Sequence, residues 1–300
     1  MTISLPSFAK INWMLRILGK RGDGFHDLFT VFQTVSLHDT IHFTESEILE
    51  LTCDVTAVPI DEDNLIIKAA NALRQEHGIT RGAAIHLEKR IPSPGGLGGG
   101  SSNAAVTLIG LARLWQIQTD KEDIQTIAVG LGSDVPFFLH GGTAIGTGRG
   151  ELIEPIDGPD EQLVLIVTPD VSVSTKDAFE RLNAGTLTNA ETNRILRVCR
   201  SEAETLDVRY SALINDFESS VFYAHPEIQR VKRNLLKLGA VNAAMSGSGA
   251  SVFAIFDKTE TRQAAIKALD HESTWRKFAV ATISREQYSK LQFAGLRATN

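Results

Sequence analysis

The chain has 300 residues, 43% of them apolar and 22% charged, and its 30 Lys and Arg against 36 Asp and Glu leave a formal net charge of −6. That length suggests one large or two ordinary domains, and the negative balance excludes a general nucleic-acid coat while allowing one small anion in a locally positive pocket. No apolar run reaches the roughly 20 residues that span a bilayer, residues 1–8 lack the pattern of a signal peptide, and Cys53 and Cys199 are too few and too distant for a disulfide framework or metal cluster, so a reduced, cytoplasmic protein with no membrane or nucleic-acid partner is expected.

Residues 8–18 read as a strand. Ile11, Trp13, Leu15 and Ile17 alternate with Lys10, Asn12, Met14 and Arg16, which sets Lys10 and Asn12 on one face and the large apolar side chains on the other. The turn Gly19-Lys20-Arg21-Gly22-Asp23-Gly24 leads to further strands at 28–37 and 40–44, a hairpin-rich antiparallel start. Asp63 is placed to cap a helix with the stripe Leu65, Ile66, Ala69, Ala70 and Leu73, and Gly78 ends it. A short strand at 83–88 precedes the run Pro92-Ser93-Pro94-Gly95-Gly96-Leu97-Gly98-Gly99-Gly100-Ser101-Ser102-Asn103. That run passes directly into a helical pattern of Ala104, Ala105, Leu108, Leu111, Ala112 and Trp115, and another amphipathic stretch covers 121–129. Composition shifts near 155–160, dividing the chain into domains 1–158 and 159–300. Beyond the shift come a strand at 163–168, helices at 175–183 and 226–238, a strand at 250–256, a helix at 260–269 and a strand at 278–283, an α+β order.

The glycine-rich run is the first sign of chemistry. Amides at a helix start have no partner within the helix, the helix dipole adds about half a positive charge there, and glycines let the main chain approach phosphate oxygens. Ser101, Ser102 and Asn103 add donors and are candidate caps, so the segment suits a nucleotide triphosphate. A P-loop is excluded because Gly100 is followed by Ser101 rather than Lys. A dinucleotide fingerprint fits poorly, since the preceding Lys89-Arg90-Ile91-Pro92 is not a buried parallel strand and Asp120 opens a polar turn. A plain glycine turn with a helix cap is the competing reading.

Pro92, Gly96-Leu97 and the Gly/Ser stretch ending Ser101-Ser102, with a second glycine loop Met245-Ser246-Gly247-Ser248-Gly249-Ala250-Ser251, resemble the GHMP kinase superfamily. The resemblance narrows through Ala9-Lys10-Ile11-Asn12, Gly19-Lys20-Arg21, Asp23-Gly24-Phe25-His26, Gly132-Ser133-Asp134-Val135-Pro136, Gly146-Thr147-Gly148-Arg149-Gly150-Glu151 and Asn215-Asp216-Phe217-Glu218. In that order they look like the 4-diphosphocytidyl-2-C-methyl-D-erythritol kinase family of non-mevalonate isoprenoid precursor biosynthesis. It implies a two-lobed α+β fold, with an N-terminal lobe like ribosomal protein S5 domain 2 and a ferredoxin-like C-terminal lobe.

The resemblance also implies phosphoryl transfer from ATP, with Mg²⁺, to the 2-hydroxyl of the methylerythritol unit. Asp134 would be the general base, and Lys10 would keep it charged and oriented. ATP would be held by Asn64 and by Pro92, Ser93, Pro94, Gly95, Gly96, Leu97, Gly98, Gly99, Gly100, Ser101 and Ser102. Pro94 has no amide to offer a phosphate. The cytidine end would meet Phe25, where relatives usually carry Tyr, His26 and Phe179; Thr175 would reach the diphosphate or sugar, cap its helix, or both, and Asn12 would meet the erythritol hydroxyls. Helix capping accounts for Asn64 nearly as well. Arg149 reads equally as a phosphate contact or a hairpin tip, no metal ligand is assigned, and a monomer or weak homodimer is expected. Another small-molecule kinase of the superfamily, of homoserine or mevalonate type, and a non-catalytic nucleotide-binding module are the alternatives.

Overall fold

A computed structural model describes residues 2–182, 185 and 189–294. Strands β1 (Thr2–Lys20) and β2 (His26–Ser46) form a long antiparallel ribbon. The strands expected at 28–37 and 40–44 are one strand. The polar pair His38-Asp39 reads as a break, but the fully buried Asp39 carboxylate accepts from Lys89 Nζ at 2.8 Å and from the amides of Arg90 and Ile91 at 2.7 and 2.8 Å. With its charge and acceptors satisfied, Asp39 stays in the ladder.

The alternation expected along β1 holds as far as Asn12 and then shifts, because the ladder slips between Asn12 and Met14. One extra residue moves later side chains to the other face. Met14, expected beside Lys10, is in the core, and Leu15, expected opposite, lines the same cleft as Lys10 and Asn12. The strand is buried because its side chains join two packed clusters, Ile3 and Leu5 with Phe43 and Leu108, and Ile11, Trp13 and Met14 with Phe253.

After β3 (Leu49–Cys53), helix α1 (Leu65–His77) is capped by Asn64 rather than Asp63: the Asn64 Oδ1 accepts from the Ile66 amide at 2.9 Å. Gly78 ends the helix in the left-handed region, as expected. Strand β4 (Gly82–Glu88) precedes α2 (Gly99–Leu114), which begins inside the glycine run, four residues before Asn103. Gly98 is its cap residue and no side chain caps it, so Ser101, Ser102 and Asn103 lie in the first turns instead of ahead of them. Ser102 and Asn103 are buried and receive the Ser7 hydroxyl at 2.8 and 2.6 Å.

Helix α3 (Lys121–Leu131), capped by Asp120, leads through a loop and the short 3₁₀ turn Pro136–Leu139 to the hairpin β5 (Thr143–Thr147) and β6 (Leu152–Ile156). Strand β7 (Leu163–Thr168) opens the second half. It is followed by α4 (Thr175–Leu182), α5 (Asn189–Glu204), β8 (Ile214–Asn215), α6 (Glu218–Ala224) and α7 (Pro226–Lys237). Strands β9 (Asn242–Met245) and β10 (Val252–Phe256), helix α8 (Thr259–Ala268), β11 (Arg276–Ala281) and α9 (Arg285–Ala294) complete the order. Of the expected helix 175–183, position 183 lies outside the described residues.

Two sheets organise these elements. One runs β3-β4-β2-β1-β8, with β5 and β6 attached beyond the other end of β2, and the second is the antiparallel order β11-β7-β10-β9. The first packs on the apolar stripes of α1 and α2 through Ile41, Phe43, Leu73 and Leu108; the second packs on α7 through Val252, Ala254, Ile228 and Val231. A third cluster joins the sheets: Trp13 of β1 meets Phe253 of β10 edge-on, with centroids 5.4 Å apart. The second half also returns β8 to the first sheet, parallel to β1 at Met14 and Leu15. The site lies where these joints meet. Among the described residues no helix is long and apolar enough to cross a membrane.

Candidate active site

Lys10 is 3% exposed at the middle of β1, and its backbone amide donates to the Leu97 carbonyl of the glycine run at 2.9 Å. A buried ammonium needs compensation. Nζ donates to Asn12 Oδ1 at 2.8 Å, lies 3.4 Å from the Asp134 carboxylate, and sits 5.5 Å from the centre of the Phe32 ring. Asp134 comes from the loop ahead of the 3₁₀ turn, and its side chain is 32% exposed toward the cleft. A fixed cation therefore meets a carboxylate that is still open to a ligand.

Asn12 ties this pair to the second glycine loop. Its Oδ1 also accepts from the Gly247 amide at 2.9 Å, and its Nδ2 donates to Thr30 Oγ1 at 2.8 Å. Its amide group is thus engaged in holding Lys10 and the loop. The two glycine loops are laced together, with Ser246 Oγ donating to Gly96 O at 2.9 Å and the Ser251 amide to Gly95 O at 3.1 Å. Gly96 has φ +70, and a Cβ there would lie 2.1 Å from Ser246 O, so only glycine allows this approach. Asn215 completes the brace by donating to the carbonyls of Met245 and Gly247, each at 2.8 Å.

The cleft around Lys10 and Asp134 is lined by Asn12, Pro94, Gly96, Gly98, Thr175, Phe179 and Gly247 among others. It shares Ser133, Arg149, Thr175 and Phe179 with an outer cavity of about 620 Å³ that holds Lys20, Phe25 and His26. Catalytic, phosphate-side and cytidine-side candidates thus open onto one continuous space. Of the glycine run, Pro94, Gly96 and Gly98, the cap residue of α2, line this space, whereas Gly95, Gly99, Gly100 and Ser101 are not among its lining residues.

Other candidates stand apart. Pro92 and Ser93, again with Pro94, line a separate depression with Thr168, Asp170 and Arg276. Leu97 is buried with its carbonyl taken by the Lys10 amide, and Ser102 is buried with its hydroxyl bonded to Ser7 and its amide to the Gly98 carbonyl, so neither side chain faces the cleft. Asn64 holds Pro59 O and the Ile66 amide; the next residue, Leu65, reaches within 3.5 Å of where a Gly100 Cβ would stand, which puts α1 beside Gly100.

In the outer cavity His26 stacks on Phe179 with centroids 4.7 Å apart, and Phe179 meets Phe217 edge-on at 4.8 Å. Burial, and then the nearby Lys20, hold the His26 imidazole below its ordinary value, which favours the neutral ring. Phe25 is 54% exposed and lies under the Arg149 guanidinium at 4.9 Å. Thr175 is not the cap of α4: the Asp177 amide bonds to Ser174 Oγ, and Thr175 Oγ1 pairs with Ser248 Oγ at 2.8 Å.

Arg149, Lys20, Ser133 and Ser248 are the residues that sequence reasoning did not select. Arg149 sits in the turn between β5 and β6, its amide bonded to Glu151 Oε2 at 2.6 Å, and it lines both parts of the cleft. The signal was one arginine between two glycines, which fits a hairpin tip equally well.

Comparison with known proteins bears on this geometry. Residues 64–142 match the GHMP kinases N terminal domain and residues 201–273 the GHMP kinases C terminal domain. The chain is 38% identical over 268 residues to the 4-diphosphocytidyl-2-C-methyl-D-erythritol kinase of Thermodesulfovibrio yellowstonii, covering 88% of this chain and 93% of that one. With the enzyme of the same name from Chlorobium phaeobacteroides it is 41% identical over 260 residues, covering 85% and 90%. A crystal structure of 4-(cytidine 5'-diphospho)-2C-methyl-D-erythritol kinase superposes with a TM-score of 0.75 at 29% identity, covering 93% of this chain and 99% of that one. A homoserine kinase from Cytophaga hutchinsonii shares the fold, with a TM-score of 0.70 at 20% identity, covering 94% and 95%.

Proposed function

Because this chain belongs to the 4-diphosphocytidyl-2-C-methyl-D-erythritol kinase family of GHMP kinases, we propose that it transfers the γ-phosphoryl group of ATP to the 2-hydroxyl of 4-diphosphocytidyl-2-C-methyl-D-erythritol. The observation that carries the reading is the Lys10–Asp134 pair, 3.4 Å apart, in a cleft lined by Gly96 and Gly98 just ahead of α2 and adjoining an aromatic mouth.

The roles follow from charge and position. The Asp134 carboxylate accepts the hydroxyl proton as the alkoxide oxygen bonds to the γ-phosphorus and the bond to ADP breaks. The Lys10 ammonium, already held by Asn12, offsets charge developing on the transferred group without reorganising. Amides at the start of α2, from Gly98 to Ser101, cradle the phosphates. Phe25, His26 and Phe179 receive the cytosine; a neutral imidazole offers one ring nitrogen as donor and one as acceptor to the base edge. Arg149 and Thr175, between mouth and floor, face the diphosphate. Asn12 positions Lys10 and reaches the acceptor only secondarily, since its amide is already bonded.

No group of three or more His, Cys, Asp or Glu among the described residues could hold a metal ion, so the donor set fits a Mg²⁺ carried on the triphosphate with water rather than one caged by the chain. When bound, that ion neutralises phosphate charge. In this reading residues 1–158 and 159–300 are the two lobes, and the protein works in the cytoplasm as a monomer or weak homodimer on a small-molecule acceptor. The test is transfer from γ-labelled ATP to three alcohols: the cytidine-linked substrate, homoserine and mevalonate. Label moves to the first in preference; preference for either of the others overturns the substrate assignment, and saturable ATP binding with no transfer to any leaves a binding module.

A further inference from the structure

We infer that the C-terminal helix α9 is a brace for the catalytic loop and that Tyr288 is a positioning residue for phosphoryl transfer. The inference rests on the reading of Lys10 and Asp134 given above. Tyr288 touches neither cleft nor reacting atoms; it acts through Phe138.

Tyr288 is 3% exposed and donates its hydroxyl to the Phe138 carbonyl at 2.6 Å. Burial pushes the phenol well above its ordinary value, so it remains a neutral O–H donor at any working pH. The ring lies against Gly141, where a Cβ would stand 2.3 Å from it, and against Phe8 of β1 at 5.5 Å between centroids. The helix is itself anchored. Arg285 donates to the carbonyls of Thr143 and Ile156 at 3.0 and 2.8 Å, and Gln292 to that of Pro6 at 2.8 Å. Arg285 and Gln292 thus fix the helix to the β5–β6 hairpin and to β1, and from that footing the Tyr288 hydroxyl bonds the segment that carries Asp134.

That segment is short and stiff. The Val135 amide bonds back to Gly132, Phe138 to Val135, and both His140 and Gly141 to Phe137. Fixing the Phe138 carbonyl therefore fixes the turn that presents Asp134. Phe138 is also fully buried, and its ring fills the space beside Gly98: a Cβ on Gly98 would meet Phe138 Cζ at 2.8 Å and Lys10 Cγ at 3.0 Å. One side chain thus touches the cap residue of the phosphate-binding helix and lies alongside the stem of Lys10, while its backbone oxygen is held by Tyr288. Small displacements of an acid–cation pair cost rate because transfer demands a near-attack geometry.

The test is Tyr288→Phe in the full-length protein, which removes one hydroxyl and keeps the ring. Steady-state rates are normalised to the folded fraction from circular dichroism. The expected result is a kcat lower by about three- to tenfold, the kinetic equivalent of one buried hydrogen bond, with KM for ATP and for the cytidine-linked alcohol within about twofold. A role confined to stability would lower the melting temperature and leave normalised kcat untouched. Phe138→Leu, which keeps the carbonyl bonded and withdraws the ring from Gly98, gives a second reading should Tyr288→Phe not accumulate folded; its kcat falls in the same way. In the double variant the two losses are less than additive. Normalised kcat unchanged in whichever single variant folds, or additive losses in the double, overturns the inference. If Lys10 and Asp134 variants lose turnover while these do not, only the brace is wrong; if Lys10 and Asp134 variants keep turnover, the reading of the site itself fails.

Discussion

Replacing Lys10 by Met keeps the length and packing of the side chain and removes its charge. The ammonium lies 3.4 Å from the Asp134 carboxylate. At an effective dielectric of about 20 that separation corresponds to about 5 kcal/mol, and in bulk water to about 1 kcal/mol. Lys10 is buried, but a third of the Asp134 side chain meets solvent, so the effective value lies between, at about 3 kcal/mol. A unit charge that develops on the transferred group at a similar distance from Nζ would be stabilised by the same order, so its loss raises the barrier by about 3 kcal/mol and kcat falls about a hundredfold. Folding suffers less, because Asn12 Oδ1 keeps the Gly247 amide and the thioether chain still fills the site, so the stability loss is about 1 kcal/mol. The assay is steady-state phosphoryl transfer at saturating ATP and alcohol, with both KM values and a thermal melt measured on the same preparation. A folded Lys10→Met enzyme whose kcat stays within threefold of the parent would refute the electrostatic role.

Phe25→Ala raises KM for the cytidine-linked alcohol by about tenfold, as expected for losing one stacking partner of about 1–3 kcal/mol, and leaves ATP affinity within twofold; calorimetric titration of each ligand separates the two effects. Gly96→Ala forces a Cβ to within 2.1 Å of Ser246 O at φ +70, so the two glycine loops part and ATP affinity falls at least tenfold, read by nucleotide titration. Lys89→Met leaves the fully buried Asp39 carboxylate without its cation and lowers stability by about 3 kcal/mol, measured by chemical denaturation. The depressed basicity of His26 gives a pH dependence whose sign is fixed: a neutral ring is favoured in the folded cleft, so cytidine-side affinity is full above the ordinary imidazole range and weakens as pH falls through the lowered value; affinity that strengthens on acidification would contradict the neutral-ring account.

Much of the candidate cleft was legible in the sequence because a glycine-rich stretch before a helix and polar residues at fixed strand spacing leave marks in residue type. Pro94, Gly96 and Gly98 of the glycine run, Lys10 and Asn12 two apart on a strand, and Asp134 in its loop line one cleft. What was not legible depended on tertiary partners. The polar pair at 38 and 39 mimicked a turn, because nothing nearby in the chain announces that Lys89 and two amides neutralise Asp39. The slip in β1 reversed the faces of Met14 and Leu15, since a bulge is invisible to a period-two pattern. Ser102 and Asn103 looked like caps by composition, yet the helix starts at Gly99 and turns both toward Ser7. The anchoring of α9 was hidden for the same reason, since its partners lie a hundred or more residues away, while Arg149 stayed ambiguous because one arginine between glycines fits a hairpin tip as well as a phosphate contact.

The measurement that bears most directly on the mechanism uses Asp134→Asn, isosteric and unable to take the hydroxyl proton. Binding of ATP and of the cytidine-linked alcohol is followed by calorimetry, and transfer by single-turnover quench with labelled ATP. Both ligands should bind within about threefold of the parent while the transfer rate drops by about a thousandfold or more, the scale set by losing a general base. Transfer at close to the parental rate from a fully ligated Asp134→Asn complex would mean that the proton leaves by another route.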